Sequence, residues 1–200
     1  MKDEIIDYAD DYAITKTEKV GFKEFFIGEK EDSSLTKQYI SGTVDRKFSD
    51  LGIVQYKIDA QFSEYCDVLE YYHIQMTEEI KKLKREIANE PKGIINRDDC
   101  YSIYDYETLK GKIVVLDQDV LLKEYQRSSH QLYLADGGFG CLPKGNGNAI
   151  YAYNLYTGKE TRIEKYNVIG VIKENKLPKW AIQKLDKHKQ KIKESKGTVR

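Results

Sequence analysis

The stretch Tyr133 to Tyr153, "YLADGGFGCLPKGNGNAIYAY", decides the fold, because its five glycines suit either a phosphate-cradling loop or the turns of a β-sheet. A phosphate loop uses glycine so that backbone N–H groups converge on an anion, at a turn from strand into helix. Gly137, Gly138 and Gly140 do come after an apolar strand pattern, "QLYLA". The required continuation is missing: there is no Gly-Lys-Ser/Thr and no GxGxxG register. The residues beyond the glycines read as strand instead. "AIYAYNLY" alternates, "LYTGKETRI" holds two strands around a Thr-Gly turn, "KGNGNA" is turn chemistry, and "YNVIGVI" is strand again. With "KIVVL" upstream, the segment from Lys112 to Ile172 predicts about five short strands in a small antiparallel sheet or SH3-like barrel. Gly137, Gly138 and Gly140 are turn and bulge residues in this reading. Cys141 is a buried small hydrophobe, since no basic neighbour or helix N-terminus is dictated that would make it a thiolate.

Outward from this segment the periodicity changes. From Phe62 to Ile87, Cys66, Leu69, His73, Met76, Ile80, Leu83 and Ile87 recur at alternating spacings of 3 and 4. That is an a/d seam, and it predicts one helix of ~26 residues ended by Pro91 and Gly93. The seam packs either on its own domain or, through 62–87, against a second copy. Residues 3–14 set Ile5, Ala9, Tyr12 and Ala13 on one helical face, which predicts a short amphipathic helix. Phe22, Phe25 and Phe26 form an anchoring cluster before a polar loop through Ser34. Residues 38–58 mix β-branched and aromatic side chains and predict a few short strands. The expected architecture is α+β: a mainly helical region over 1–110, and over 111–200 a β-rich module ending in a basic helix.

Composition limits the functions available. The chain has 200 residues, with 33 basic and 33 acidic side chains. Zero net charge gives no global field marking a polyanion or membrane as partner. The charge is polarised, however: residues 1–50 hold 12 acids against 8 bases, and residues 171–200 hold 3 acids against 10 bases. Sixteen tyrosines exceed six phenylalanines and one tryptophan, and tyrosine suits half-wet recognition surfaces. Cys66, Cys100 and Cys141, like His73, His130 and His188, are scattered without zinc-ligand spacing, so no metal or cofactor is expected. The acidic N-terminus carries no signal-like apolar core, and no apolar run approaches a membrane span. A soluble protein of the cytoplasm, with reduced thiols, is the expectation. No Ser/His/Asp ordering, paired-carboxylate motif or HExxH is present, so no catalytic residues are assigned.

"LPKWAIQKLDKHKQKIKESKGTVR" closes the chain, with Pro178 at a helix's first turn and Trp180 or Ala181, Ile182, Leu185 and Ile192 as an intermittent apolar stripe. Lys184, Lys187, Lys189, Lys191, Lys193 and Lys196 cover the remainder and suit a phosphate-seeking helix or arm, the alternative being a solvated tail. At the other end, Asp3, Glu4, Asp7, Asp10 and Asp11 form a candidate acidic face able to occupy a channel built for phosphates.

"LYLADGGFGC", "VIGVIK" and "LPKWA" together resemble a C-terminal module of uncharacterised proteins from Firmicute plasmids and integrative conjugative elements. Leu134 to Cys141, Gly170 to Lys173 and Leu177 to Ala181 carry the resemblance, Trp180 among them, and it covers about Lys110 to Leu185. Proteins of such elements include inhibitors of host defence, anti-CRISPR proteins among them, as well as conjugation and maintenance accessories. Taken with the absence of catalytic motifs, the tyrosine-rich composition and the polarised charge, the resemblance implies a non-enzymatic inhibitor of a host nucleic-acid-targeting defence, with a protein or ribonucleoprotein such as Cas9 as partner. RNA or DNA is then a further partner of the basic C-terminus, and no membrane is involved. Two other readings stand beside it: a nuclease acting on guide RNA, and a DNA-binding accessory of conjugation or maintenance.

Overall fold

A computed structural model describes residues 7–31, 37–48 and 53–197, and the chain divides into two compact units, Met1–Asn89 and Glu90–Arg200.

The first unit corrects the expectation of a helical N-terminal half. Its strands β1 (Tyr8–Ala9), β2 (Tyr12–Val20), β3 (Lys23–Glu31), β4 (Lys37–Phe48) and β5 (Ile53–Phe62) form one antiparallel meander in the order β1-β2-β3-β4-β5. The helix expected over 3–14 is instead a hairpin, as far as the described residues go. Tyr8 pairs with Ala13 and Ala9 with Tyr12, around a turn in which Asp10 adopts φ 54°. Aspartate tolerates that left-handed conformation better than most residues. Beyond it Ile14, Thr15 and Thr17 supply β-branched side chains whose pairing with β3 overrides the helical spacing of the first dozen residues. Phe22 stands exposed at the β2–β3 turn, while Phe25 and Phe26 are buried on opposite faces of β3. One face of the sheet gathers Ala9, Tyr12, Phe26 and Ile40, with Tyr56 edge-on to Phe26 at 5.2 Å. The sheet curls so that β5 approaches β1 and the start of β2: Gln61 donates to the Tyr12 hydroxyl at 2.8 Å, and the Tyr56 hydroxyl donates to Asp7, just before β1, at 2.9 Å.

Helix α1 (Tyr65–Ile87) lies against β2, β3, β4 and β5. Its buried residues are Val68, Tyr72 and Leu83; of the heptad seam Leu83 is buried and Leu69, Met76 and Ile87 are half-buried, whereas Cys66 and His73 are exposed and Ile80 is 38% exposed. The packed face is therefore partly rotated from the seam, the two sharing Leu83. Tyrosine explains the difference, because its ring packs like a hydrophobe while its hydroxyl stays polar. Tyr65 meets Tyr39 at 5.4 Å, Tyr71 meets Phe62 at 5.4 Å, and the Tyr72 hydroxyl donates to Glu18 at 3.3 Å.

The second unit is built on a six-stranded antiparallel sheet, β10-β9-β8-β7-β11-β6. Its members are β6 (Cys100–Tyr101), β7 (Ile113–Leu116), β8 (Leu132–Gly137), β9 (Ala149–Asn154), β10 (Glu160–Glu164) and β11 (Val168–Ile172). The expectation of a small sheet or SH3-like barrel confined to 112–172 is corrected here. The sheet is open, its edge strand β6 comes from before Gly111, and helices α2 (Ser128–Gln131) and α3 (Lys179–Gly197) belong to the unit. One face buries Val114, Ala135, Ile150, Ala152 and Val171 with Leu109 and Cys141; the other buries Val115, Leu132, Leu155 and Ile172 under Ala181 of α3. Trp180 packs edge-on to Tyr156 at 5.6 Å and His188 stacks on Tyr153 at 3.8 Å, so the basic C-terminal segment is a docked helix. Buried Gln131 ties the segment before β6 to the sheet: it donates to the carbonyls of Ile95 and Leu116 and accepts from the Ile95 amide at 2.8 Å.

Candidate functional site

The glycine-rich stretch closes on itself. The amide of Cys141 donates to Gly138, that of Leu142 to Phe139 and that of Gly145 to Leu142, so these N–H groups do not converge on a ligand. Gly138 holds φ 97° at the turn out of β8. The Lys165 ammonium donates to the carbonyls of Leu142 (3.4 Å), Pro143 (3.2 Å) and Gly145 (2.6 Å), clamping the loop. The Cys141 thiol is buried and donates to the Gly137 carbonyl at 3.1 Å, and burial pushes its pKa up, away from thiolate chemistry. Burial likewise pushes the Cys100 thiol up to about 11.

One cluster brings together serine, histidine and glutamate. Glu90 accepts from the Ser129 hydroxyl at 3.1 Å and lies 2.9 Å from His130 Nε2. The serine faces the carboxylate and not the imidazole, so the nucleophile–base contact of hydrolytic chemistry is not made. Among the described residues no three His, Cys, Asp or Glu side chains cluster as metal ligands would, and no helix is long and apolar enough to cross a membrane.

The candidate acidic face is not a free anionic surface where it is described. Asp11 pairs with Lys30 at 2.9 Å, and that hydrogen bond holds its carboxyl below the usual range. Asp7 accepts from Tyr56, and Asp10 occupies the β1–β2 turn. Asp3 and Glu4 lie outside the described residues. The candidate basic residues all stand on α3, but its docking divides them. Lys184 donates to the Tyr156 carbonyl at 3.2 Å and sits 5.2 Å from that ring. Lys189 turns the other way and lines a groove beside β7 and β11. Lys187, Lys191 and Lys193 are exposed, and the side chain of Lys196 lies outside the described residues.

That groove is an open depression on the second unit. It encloses about 960 Å³, with Lys112, Lys173 and Lys189 among its lining, Glu174 as its carboxylate, and Tyr101 and Tyr106 as its rings. A second depression of about 460 Å³ shares Tyr101 and adds Arg97, Tyr104, Lys165 and Tyr166. Local chemistry explains the placement. Asn96 and Asp99 cap the turn before β6, and Lys176 pairs with Asp99 at 3.1 Å. β6 lies close over β11 because residue 170 is glycine: a Cβ there would stand 2.5 Å from the Tyr101 carbonyl oxygen and 2.6 Å from Cys100 Cβ. The Ser102 hydroxyl accepts from the Tyr104 amide at 3.2 Å, in a turn that buries Ile103 and turns Tyr104 outward. Lys112 lies 4.9 Å from the Tyr106 ring and Lys173 lies 5.7 Å from the Tyr101 ring. Burial raises the Tyr106 hydroxyl pKa, so the ring stays neutral beside its lysine. Cations and π-faces are thus interleaved around one edge strand.

Sequence reasoning singled out Lys189 in this surface and missed Arg97, Tyr101, Tyr104, Tyr106, Lys112, Lys165, Tyr166 and Lys173 as a group. The available signal was "CYSIYDYETLKGK", where three tyrosines punctuate turn residues and run into lysines. Comparison with protein families, curated proteins and solved structures finds no match to this chain.

Proposed function

We propose that this chain is a non-enzymatic binding protein of a mobile element, which blocks a host nucleic-acid-targeting defence by gripping the nucleic-acid component of a ribonucleoprotein such as Cas9. The observation that carries the reading is the pair of depressions sharing Tyr101. Five cations line them, Arg97, Lys112, Lys165, Lys173 and Lys189, against one carboxylate, Glu174; Lys165 and Lys173 also donate to backbone carbonyls, so Arg97, Lys112 and Lys189 are the ones placed to meet phosphates. Interleaved cations and aromatic rings are what nucleic-acid-binding grooves use: the ammonium and guanidinium groups track phosphates, and the rings meet bases. The opposite mechanism, acidic mimicry by the N-terminus, loses support because Asp7 and Asp11 already have partners.

The test uses a purified Cas9–guide RNA complex. Added protein is expected to suppress target cleavage while the guide RNA stays intact, with or without divalent metal. A Lys112→Glu/Lys189→Glu variant that keeps its circular dichroism spectrum should lose the suppression. Guide cleavage would make the chain a nuclease. Unchanged target cleavage together with salt-dependent binding to duplex DNA would make it a DNA-binding accessory.

A further inference from the structure

The two depressions differ in a way that bears on which form of nucleic acid they suit. The larger is rimmed by ammonium groups, whereas the smaller is walled by rings: Tyr101, Tyr104 and Tyr166 are 48%, 61% and 72% exposed. A phosphate has no use for a ring face. Bases inside a duplex stack on one another and present only their edges in the grooves. A tyrosine meets the face of a base only where the base is unstacked.

Both outward rings stand on fixed backbone. Tyr104 is set by the Ser102 cap and by burial of its neighbour Ile103. Tyr166 lies in the turn Lys165–Asn167, between β10 and β11, where the Lys165 ammonium is anchored to three loop carbonyls. Platforms already in place lose little side-chain freedom when a ligand arrives. Tyr101 and Tyr106, by contrast, hold Lys173 and Lys112 near their rings and so belong with the phosphate path. At about 460 Å³ the smaller depression has the size of a small-ligand site, suited to a nucleotide and not to the side of a double helix.

We infer, resting on the nucleic-acid reading above, that the depression walled by Tyr104 and Tyr166 receives an unpaired base, and that the ligand class is therefore single-stranded nucleic acid. Arg97, at the same depression, and Lys112 and Lys189, across Tyr101, take the flanking phosphates.

The test is fluorescence anisotropy of the full chain with three labelled probes: a uridine dodecamer, a thymidine dodecamer, and a fully paired hairpin of equal phosphate number. Both dodecamers are expected to bind about tenfold or more tighter than the hairpin, as base stacking on one or two rings provides. An RNA-over-DNA preference would identify the ribose hydroxyl as an added contact, and equal binding would identify a strand of either sugar. Tyr104→Ala and Tyr166→Ala should each weaken the dodecamers by about tenfold and leave the salt slope unchanged, whereas Tyr104→Phe and Tyr166→Phe retain affinity. Lys112→Gln should lower the salt slope by about one. Equal binding of hairpin and dodecamers, with neutral alanine variants, overturns the base subsite and leaves the nucleic-acid reading standing. No binding of any probe at low salt overturns both.

Discussion

In the first unit the charged groups of the helix-free sheet face turn towards one another, whereas in the second unit lysines and exposed tyrosines line two depressions that share Tyr101. Glu24 is 5% exposed on β3, and Arg46 of β4 holds it with two hydrogen bonds, of 2.8 and 2.7 Å, with Lys19 3.5 Å away. Burial pushes the Tyr56 hydroxyl up to about 12, and its proton is donated to Asp7. These groups are satisfied by neighbours and hold the curl of the sheet. The second unit uses its edge strand differently. Lys112 rests near the Tyr106 ring, and Lys173, near the Tyr101 ring, donates to the Asp98 carbonyl at 2.7 Å. The contrast separates a region whose polar groups pair with one another from one whose cations and rings line open depressions.

Four substitutions sharpen that contrast. Tyr72→Ala, on the packed face of α1, removes a fully buried ring and should cost about 3–5 kcal/mol, seen as loss of the first unit's cooperative unfolding transition. Nucleic-acid affinity of the second unit should persist in whatever fraction stays folded. Arg46→Ala leaves the Glu24 carboxylate buried without its main partner. The expected cost is about 2 kcal/mol, short of the ~3–5 of a fully buried pair because Arg46 is partly exposed and Lys19 remains.

The same pair sets a pH dependence. The hydrogen bond from Arg46 holds the Glu24 pKa below its ordinary value, so its contribution is complete above the unfolded value of ~4.3 and is lost as pH falls through the lowered folded one. Acid titration monitored by near-ultraviolet circular dichroism should show this loss in the parent and little of it in Arg46→Ala.

Gly170→Val places a side chain against the Tyr101 carbonyl and should cost about 1–3 kcal/mol by overpacking. Its sharper readout is binding: with β6 displaced, both depressions lose their shared wall and affinity for single strands collapses. Ile80→Asp should change stability by no more than ~0.5 kcal/mol, because the position is a half-wet surface site of α1 and not the centre of a seam. Unfolding of that variant would show that the heptad face is the packed one after all.

How legible these features were in the sequence depends on whether each is local. The helix from Tyr65 was visible because 3/4 spacing is a local property. Its packed face was not, since Tyr65, Tyr71 and Tyr72 make ring contacts that a count of aliphatic positions leaves out. The N-terminal meander was hidden by two opposite patterns. β2, "YAITKTEKV", is mostly polar, and β3 buries Phe25, Phe26 and Ile27 in succession because both its faces are covered, so neither strand alternates cleanly. The turn glycines beyond Gly137 could be read from the absence of a helix after them. The Tyr101 surface could not, because it is assembled from residues between Arg97 and Lys189 by the pairing of β6 with β11, a contact that only Gly170 hints at.

The most direct measurement of the central claim is photocrosslinking of the full chain to a 4-thiouridine-substituted single strand, with the attachment points read by peptide mass spectrometry. The account predicts adducts on the peptides carrying Tyr104 and Tyr166, lost on competition with unlabelled single strand and kept on competition with the hairpin. Adducts confined to the first unit, or spread along the exposed lysines of α3 without either tyrosine, would contradict it.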